Sequence, residues 1–537
     1  VTQAEVLVNL GREDRLDTDG LGRLVASINR YLGEGGAGGG DVAELAGDAL
    51  TVVESRPAGT AWLLDGLWRQ LGVDTGLAKV LGARRFTTDV ERVLFAMVAN
   101  RAIDPMSKLA TAEWVNHDTA VSGLASMDED QAYRAMDLLI AADAQAEVQE
   151  AVFFAVADLL NLEVDLLFFD TTSTYFERDT EEDGDVAFRR YGHSKDHRPD
   201  LPQIVIGLAV TREGIPVRVW CWPGNTNDQA VLPEVRDGLR GWRLGRVVTV
   251  VDRGLSSDAN LDYLRRAGGH WIAGQRMRDG SADAQEALSR QGRYQAVRDN
   301  LRVKEVRLAS TPDRRWIVCH NPTEAERDKA NRDAAVARLE AELAAIAAAR
   351  ARDAAKAKKT RKRVSDETHR RAECALRDHK TLGRYLRQTA TGRLQIDRAA
   401  IRAEERLDGK YLLSTSDPDL SAEDVALGYK NLLEAERGFR DLKSTLELRP
   451  VFHRLEPRIR AHVLLCWLAL LLTRVAERRC DMTWRRIATE LGRIHAVTLQ
   501  GSAGIVVQTT PPSDAAAGIL GACGVDPPPR ITHLHPL

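Results

Sequence analysis

The sequence contains little cysteine and almost no net charge. Its six cysteines are scattered without CxxC or metal-ligand spacing, which excludes a disulfide framework and a structural zinc site and fits a reducing compartment. Lys and Arg number 75 against 78 Asp and Glu, a net charge of −3. The chain as a whole is not basic, so any site for a polyanion has to come from a local patch.

Long hydrophobic runs are also missing. The longest, Val463–Leu472, is too short to span a bilayer and is flanked by arginines, so it predicts a buried helix. The N-terminus lacks the basic-then-apolar pattern of a signal peptide. Val1 in place of methionine favours an alternative start codon or a trimmed chain. We therefore expect a cytoplasmic protein.

The overall amino-acid composition is that of a large globular protein. With 537 residues, 44% hydrophobic and 28% charged, the chain is expected to form two or three domains. Residues 1–59 combine a short helical pattern with a glycine-rich connector, which predicts a small subdomain on a linker. Residues 60–162 repeat their apolar positions at three and four, which predicts a helical region.

The pattern changes to strands in residues 163–276. Val164–Asp170 and Arg246–Asp252 are apolar runs that each end in a carboxylate. Further strands are predicted at Gln203–Thr211, Ile215–Trp222 and His270–Gln275, the first two as a hairpin, with helices at 232–239 and 256–267. This order predicts a mixed α/β sheet in which acidic residues end the first and fourth strands.

Residues 277–420 interrupt this order and predict an insertion domain. Two short strands, near 304–309 and 315–319, precede a long helix rich in Ala, Arg, Glu and Lys over Pro322–Arg363. This helix has a thin apolar stripe, which is typical of a solvated hairpin arm. Its basic run Lys356–Arg363, extended by Arg370 and Arg371, also suits contacts with phosphates.

The last part of the chain predicts a return to the sheet domain. Residues 421–480 contain two helical patterns that would complete the core, and 481–537 form a C-terminal segment. The prolines at 511, 512 and 527–529 predict disorder after Gln508.

The stretch Tyr429–Lys443 is predicted to be one amphipathic helix. Tyr429, Glu436 and Lys443 stand at i, i+7 and i+14, so they would lie along one stripe. Leu432, Phe439, Leu442 and Leu446 mark an adjoining apolar face. Taken alone, this pattern is an ordinary surface helix. With the two strand-end acids, it suits holding a metal ion and a phosphate together.

Asp170, Asp252 and Glu436 are therefore the candidate metal ligands and catalytic residues. Magnesium takes oxygen ligands and uses few protein carboxylates together with phosphate oxygens and water. Two such ions about 3.5 to 4 Å apart can activate a hydroxyl nucleophile and stabilise the leaving oxygen of a phosphodiester. Each acid taken singly is also explained as a cap or a turn former.

Several motifs resemble the DDE transposases of bacterial insertion sequences, and in particular the cut-and-paste group with a Tyr, Arg, Glu, Lys signature helix. The motifs are FFDTTS at 168–173, YGHSKDHRPDLPQ at 191–203, PGNTND at 223–228, VVDRG at 250–254 and the Tyr429–Lys443 pattern. They occur in order and span most of the chain, about 60–479. The signature arginine is replaced here by Leu432.

The resemblance implies a ribonuclease-H-like core, two Mg²⁺ ions that Mn²⁺ can replace, and DNA cleavage followed by strand transfer. Asp170, Asp252 and Glu436 would hold the metal. The helical region 60–162 would bind DNA, and the protein would act as a homodimer on terminal inverted repeats and target DNA, associated with a bacterial nucleoid. The residues expected to contact DNA are Tyr429, Lys443, Arg437, Arg440, Lys195 and Arg253.

Two other functions remain open at this stage. A structure-selective nuclease on the same core would cut DNA without joining it. A catalytically decayed DNA-binding protein would keep the fold alone, and the departure at Leu432 leaves this hypothesis standing.

Overall fold

The computed structural model describes residues 50–81, 89–141, 144–160, 165–178, 180–182, 184, 187–239, 242, 247–266, 269–278, 280–360, 366–501 and 504–536. The predicted N-terminal helix and glycine-rich linker lie outside these residues. The chain forms two compact units: unit 1 comprises 1–247 and 431–537, and unit 2 comprises 248–430.

The N-terminal part of unit 1 is helical, as the apolar spacing predicted. Asp89 begins one helix by accepting a hydrogen bond from the Arg92 amide at 3.2 Å, which satisfies an otherwise unpaired donor. A π-helical turn, Trp114–Asp118, extends another. The helices are α1 (Gly59–Gln70), α2 (Val73–Leu81), α3 (Val90–Ile103), α4 (Lys108–Glu113), α5 (Glu129–Ala141) and α6 (Ala144–Leu159).

Three antiparallel strands follow in unit 1, in the order β4–β3–β2: β2 (Leu166–Tyr175), β3 (Gln203–Thr211) and β4 (Pro216–Pro223). The predicted β3–β4 hairpin is confirmed, and helix α7 (Asp228–Gly238) comes next.

The prediction that Asp170 ends its strand is wrong, because β2 continues through the polar residues to Tyr175. Pairing with β3 along the whole of β2 keeps this polar half in the sheet.

The core of unit 1 is built around a long helix. Helix α14 (Leu433–Ser444) packs against β2 and β3, and α15 (Glu456–Cys480) packs against α3, α5, β4 and α14. Among the described residues, α15 is the one helix long and apolar enough to cross a membrane, but 94% of its most apolar window is buried inside the protein. The predicted buried helix at Val463–Leu472 is therefore confirmed.

The C-terminal segment is ordered, and the prediction of a disordered tail after Gln508 is wrong. Helix α16 (Trp484–Leu491) leads to β13 (His495–Gly501), β14 (Gly504–Thr509), α17 (Asp514–Ala522) and β15 (Ile531–Pro536). These strands join β1 (Thr51–Pro57) in a second antiparallel sheet, in the order β1–β13–β14–β15. Ile519, Leu520 and Cys523 are buried, so apolar packing holds this proline-rich stretch.

Unit 2 contains a mixed sheet of six strands in the order β5–β6–β12–β9–β8–β7. Only β5 and β6 pair in parallel. The strands are β5 (Val248–Val251), β6 (His270–Gln275), β7 (Gln295–Arg298), β8 (Leu301–Arg307), β9 (Arg315–His320) and β12 (Lys410–Thr415), with helices α8 (Asp258–Arg266), α9 (Ala282–Ser289) and α13 (Ala422–Lys430). The mixed α/β class is as predicted.

An arm of helices interrupts the sheet of unit 2 between β9 and β12. It consists of α10 (Pro322–Thr360), α11 (Glu367–Arg377), a short hairpin of β10 (Leu386–Gln388) and β11 (Leu394–Ile396), and α12 (Arg398–Glu405). Leu339, Leu376, Leu382 and Tyr385 form an apolar core of the arm's own. The long helix predicted at Pro322–Arg363 is confirmed as far as it is described.

The prediction of one continuous helix over Tyr429–Lys443 is wrong. Helix α13 ends at Lys430 in unit 2, and α14 begins at Leu433 in unit 1. Helix α13 packs against strands of unit 2, whereas α14 packs against β2 and β3, so each helix buries its apolar face in its own unit. Leu432 is buried while Leu433 is exposed. Tyr429 therefore does not share a helical stripe with Glu436 and Lys443.

Candidate active-site residues

Asp170 lies in the middle of β2 and is half-buried. One of its carboxylate oxygens, Oδ1, accepts a hydrogen bond from the backbone amide of Thr171 at 2.7 Å. Its partner across the β2–β3 pair is Leu208, and directly opposite residues of antiparallel strands point to the same face. Asp170 and Leu208 therefore mark one face of this sheet.

Helix α14 covers the same face of the sheet. A Cβ atom added at Gly438 would lie only 2.8 Å from Cδ2 of Leu208, so the absence of a side chain lets the helix come this close. Glu436, two positions earlier, is exposed, and its carboxylate makes no hydrogen bond or ion pair with another described residue. Unit 1 thus places the helix that carries Glu436 over the strand face that carries Asp170.

The opposite face of β2 carries a fixed polar network. Thr171 alternates with Asp170 along the strand, and its hydroxyl donates to Oδ1 of Asp228 at 2.8 Å. The amine of Lys195 donates to the Thr171 carbonyl at 2.7 Å and lies 3.0 Å from Oδ2 of Asp228. Lys195, predicted to contact DNA, is therefore held by groups of its own unit.

Asp196, the next residue, is the partner of the signature lysine. The Lys443 amine donates to its Oδ1 at 2.8 Å, and Nη1 of Arg449 lies 2.7 Å from its Oδ2. The side chains of Lys443 and Asp196 are only 13% and 10% exposed. Burial lowers the pKa of Lys443, and the hydrogen bond that its amine donates to Asp196 opposes that shift. The loop 191–203 thus links β2 through Lys195 to α14 through Asp196.

Asp252 directly follows β5 in unit 2, as predicted. Oδ1 of Asp252 accepts a hydrogen bond from the hydroxyl of Tyr429 at 2.8 Å, and Nε of Arg253 lies 3.9 Å from the same oxygen. The side chains of Asp252 and Arg253 are 44% and 64% exposed. Tyr429, predicted to contact DNA, is therefore a donor to the second candidate carboxylate.

A glycine makes room for this hydrogen bond. Val251 pairs with Ala273 on β6, so Gly274 stands beside Asp252 in the parallel register. A Cβ atom at Gly274 would lie 2.2 Å from the Tyr429 hydroxyl oxygen and 2.9 Å from its ring carbon Cζ. The Tyr429 ring stacks on Tyr411 of β12, with centroids 6.2 Å apart. The Tyr429 side chain is thus held between the Tyr411 ring and the backbone of Gly274, which has no side chain.

Asp252 also lies at an open cleft of about 880 Å³ in unit 2. The cleft is lined by polar and cationic groups beside the two stacked tyrosines, namely Arg253, Gln275, Arg276, Arg278, Asp328 and Lys410. Such a cleft offers cations and hydrogen-bond donors to an anionic ligand next to a half-exposed carboxylate.

The remaining predicted residues lie on α14. Arg437 is half-exposed, 3.9 Å from Glu434 and 3.6 Å from Glu477. Arg440 is exposed and makes no ion pair with another described residue. Leu432, which replaces the signature arginine, is buried just before the helix. Asp196 and Gly274 were not singled out as site residues, although Asp196 falls within a motif that the sequence shows.

The described residues contain no group of three or more histidine, cysteine, aspartate or glutamate side chains arranged to hold a metal ion. Asp170 and Glu436 belong to unit 1 and Asp252 to unit 2. The chemistry of this set is nevertheless suitable, because all three are carboxylates and Mg²⁺ prefers oxygen ligands.

Comparison with known proteins identifies the class. The family described as "Transposase DDE domain" matches residues 165–472, which is 308 of the 537 residues and includes all three candidate carboxylates. None of the curated proteins compared with the chain matches it in sequence. Among solved structures, the piggyBac transposase synaptic complex with hairpin DNA matches with 8% identity and a TM-score of 0.35, over 80% of this chain and 76% of its own. That score is too low to support an inference.

The match over more than half of the chain places it in the DDE transposase family. The protein is a DNA transposase, an enzyme that cleaves DNA and transfers the cut strand. The earlier expectation of a DDE transposase is confirmed at this level.

Proposed function

We propose that this transposase belongs to the cut-and-paste group of bacterial insertion sequences and uses Asp170, Asp252 and Glu436 as its catalytic carboxylates on a ribonuclease-H-like core. The observation that carries this proposal is the packing of α14, which bears Glu436, on the β2–β3 face that presents Asp170. Asp252 at the end of β5 supplies the third acid of the matched domain.

The three carboxylates would hold two Mg²⁺ ions, which Mn²⁺ can replace. Carboxylates from distant sequence positions repel one another unless a cation neutralises them, which favours a metal at such a set. When bound, the metal would make a water or a 3′-hydroxyl more nucleophilic and stabilise charge on the phosphodiester.

The chain's own residues have distinct parts in this scheme. Asp170, Asp252 and Glu436 provide the oxygen ligands, and Tyr429 orients Asp252 through its hydrogen bond. Arg253 and Arg440 are exposed cations that suit phosphate contacts. Lys195, Lys443 and Arg437 contact DNA only where a phosphate replaces the acidic partners that they have in this structure.

The substrates would be the terminal inverted repeats of the element and a target duplex, bound by a homodimer. The helical region 60–162 would contribute to holding the DNA ends. Cleavage frees a 3′-hydroxyl, and that hydroxyl then attacks the target strand.

The test compares Asp170→Asn, Asp252→Asn and Glu436→Gln with Glu434→Gln, a matched control on the same helix. The substrate is a labelled duplex taken from the DNA that flanks the gene, with Mg²⁺ and a supercoiled plasmid as target. We expect each of the three changes to lower the cleavage rate by about 10³-fold or more while DNA binding in a gel-shift assay is kept. Glu434→Gln is expected to cleave at the wild-type rate.

Two results would contradict the proposal. Wild-type cleavage by Glu436→Gln removes that residue from the catalytic set. Cleavage without any joining of the labelled end to the plasmid supports a nuclease instead of a strand-transfer enzyme. Calorimetric titration with Mg²⁺ gives a second readout, since loss of a ligand weakens metal binding whether or not DNA is present.

A further inference from the structure

The arm of unit 2 divides into two halves of different charge. The proximal half of α10, residues 322–349, carries four Lys and Arg against six Asp and Glu. The basic tip, which we define as residues 350–359 and 366–393, carries twelve Lys and Arg against five Asp and Glu. The tip therefore has a net charge of +7 in a chain whose net charge is −3.

Three of the four cations on the proximal half of α10 are paired. Arg327 lies 2.8 Å from Glu324 and Arg338 lies 2.9 Å from Glu342, while the buried Arg332 is bound to Asp408. Exposed pairs within one helix, like the first two, are what a solvated helix shows. A helix that served only as a solvated spacer would have the same alternation along its whole length, and the tip does not.

The acidic residues of the basic tip are mostly engaged within it. Arg350 lies 2.8 Å from Asp366 and 3.1 Å from Glu373, and these pairs join α10 to the α11 region. His369 lies 3.1 Å from Asp353. Five cations of the tip make no ion pair with another described residue: Arg352, Lys358, Lys359, Lys380 and Arg393. All five are exposed.

The tip folds through apolar contacts and does not need these cations for packing. Leu339, Leu376, Leu382 and Tyr385 are buried, with Ile346, Leu394 and Ile396 packed against them. Exposed like charges on one small surface repel each other and are unfavourable unless a ligand neutralises them. The unpaired cations therefore indicate an anionic partner.

A cleft in the tip offers the geometry for phosphate groups. It has a volume of about 690 Å³ and lies between α11 and the turn of the β10–β11 hairpin. Arg370, Arg377 and Arg393 line it together with Thr391 and Gln388. Asp366 and Glu373 also line it, and both are ion-paired with Arg350. Guanidinium, hydroxyl and amide donors are the groups that contact the DNA backbone without reading its sequence.

The length of α10 sets the distance from the candidate site to the tip. Asp328 lines the same cleft as Asp252, and Arg350 stands 22 residues further along one continuous helix. At 1.5 Å per residue this separation is about 33 Å. One turn of duplex DNA is about 34 to 36 Å long. A duplex running along the arm would place its backbone at the tip one turn beyond the cleft.

We propose that the basic tip binds the sugar–phosphate backbone of duplex DNA about one helical turn from the bond that is cut. The contact is independent of base sequence and holds the duplex along the arm while its end lies at the candidate site of unit 2. This proposal rests on the proposed function for the position of the cut, although not for the nature of the ligand.

The test uses the full-length protein and two double variants of equal charge loss on the same helix. Arg352→Gln/Lys359→Gln removes two unpaired cations of the tip, and Arg327→Gln/Arg338→Gln removes two paired cations of the proximal half. Binding to a 40-bp duplex and to an 8-bp duplex with the same element end is measured at several salt concentrations. Circular dichroism melting checks that both variants are folded.

We expect the tip variant to bind the 40-bp duplex roughly tenfold more weakly at low salt, with a slope of log K against log salt smaller by about 1.8. The 8-bp duplex is about 27 Å long at 3.4 Å per base pair and does not reach the tip about 33 Å away, so the tip variant and the wild type are expected to bind it equally. The control variant is expected to match the wild type on both duplexes.

Some results would overturn the proposed tip contact, and another would contradict only the proposed catalytic function. A wild-type salt slope for the tip variant on the 40-bp duplex overturns the proposal, as does an equal loss in the control variant or on the 8-bp duplex. A wild-type protein that shows the expected length and salt dependence but cleaves no DNA supports the tip contact and contradicts only the proposed catalytic function.

Discussion

The two units use charge in different ways. In unit 1, several charged groups are buried or partly buried against one another: Asp196 lies between Lys443 and Arg449, and Arg92 lies 2.6 Å from Asp65 in the helical region. In unit 2, Asp252 and Arg253 are about half-exposed or more, and the basic tip of the arm is open to solvent.

Buried charges are expected to stabilise the fold, whereas exposed charges are expected to bind a ligand. A buried ion pair fixes geometry strongly, because removing one partner leaves the other charge without compensation in a low dielectric. An exposed charge contributes little to folding and remains available to a polyanion. We therefore expect changes to the buried ion pairs of unit 1 to alter stability first, and changes to the exposed charges of unit 2 to alter DNA binding or catalysis first.

The largest effect on stability is expected at Asp196. Asp196→Ala leaves the largely buried Lys443 and the partly buried Arg449 without their carboxylate, so we expect a loss of about 3 kcal/mol in the free energy of unfolding of unit 1, measured by urea denaturation. Asp200→Ala, in the same loop, breaks an exposed pair with Arg198 and is the control, expected to leave the urea midpoint unchanged. Equal midpoints for both variants would show that the Asp196 cluster is not structural.

The next effect concerns Lys108, which is buried in unit 1 with no hydrogen-bond partner among the described residues for its amine. Burial, reinforced by Arg101, lowers the pKa of Lys108 to about 7. The unfolded chain keeps this proton up to about pH 10.4, so between those pH values the unfolded state binds more protons and stability rises with pH. Below pH 7 the full cost of burying the charge is present.

Lys108→Met removes the free-energy cost of burying a charged amine. We expect it to raise the free energy of unfolding by roughly 3 kcal/mol at pH 6, with the gain shrinking towards pH 10, in urea titrations across that range. Neighbouring His453 has its pKa lowered by burial to about 3 and stays neutral throughout, so it does not confuse the measurement. A gain that is constant with pH would mean that the folded protein keeps this proton across the whole range, so that burial has not lowered the pKa of Lys108.

In unit 2, we expect substitutions near Asp252 to change catalysis without lowering the stability of the protein. Tyr429→Phe removes the donor to Asp252, and Gly274→Ala pushes the hydroxyl away through a Cβ atom 2.2 Å from its oxygen. We expect each change to lower the cleavage rate about tenfold and to raise the Mg²⁺ concentration needed for half-maximal rate, with little change in melting temperature.

The double variant tests whether both changes act through one hydrogen bond. If they do, Tyr429→Phe with Gly274→Ala is no slower than either change alone. Tyr411→Phe is the control, because it removes a hydroxyl from the same ring stack without touching Asp252. Multiplied effects in the double variant would mean that Gly274 serves another purpose.

Local pattern in the sequence predicted most elements of both units. Apolar spacing located α3, α5 and α6, helix-favouring composition located α10, and continuous apolar runs located α15 and β5. These elements are determined by residues that are neighbours in sequence, which a local pattern can detect. The polar second half of β2 was missed because its strand character comes from pairing with residues of β3 that are 28 to 36 positions away.

The remaining errors also have non-local causes. Strand β1 pairs with β13 some 440 positions later, which no local pattern reveals, so the C-terminal sheet was not predicted. The break at Asn431 and Leu432 contains neither glycine nor proline, and it separates two helices that pack in different units. Of the site, the sequence indicated the acids and the signature residues, whereas the pairing of Asp196 with Lys443 and of Tyr429 with Asp252 required the folded chain.

The smallest effect separates two arginines on α14. Arg437 has Glu477 within 3.6 Å, whereas Arg440 is exposed and has no ion-pair partner among the described residues. If a cation without an acidic partner contacts phosphate more readily, Arg440→Gln lowers the affinity for a 40-bp duplex about threefold and lowers the salt slope by about 0.9. Arg437→Gln is then expected to change the affinity and the salt slope by less than half of those amounts. A larger effect for Arg437→Gln would mean that DNA displaces Glu477, and that a cation paired in unit 1 is available to DNA after all.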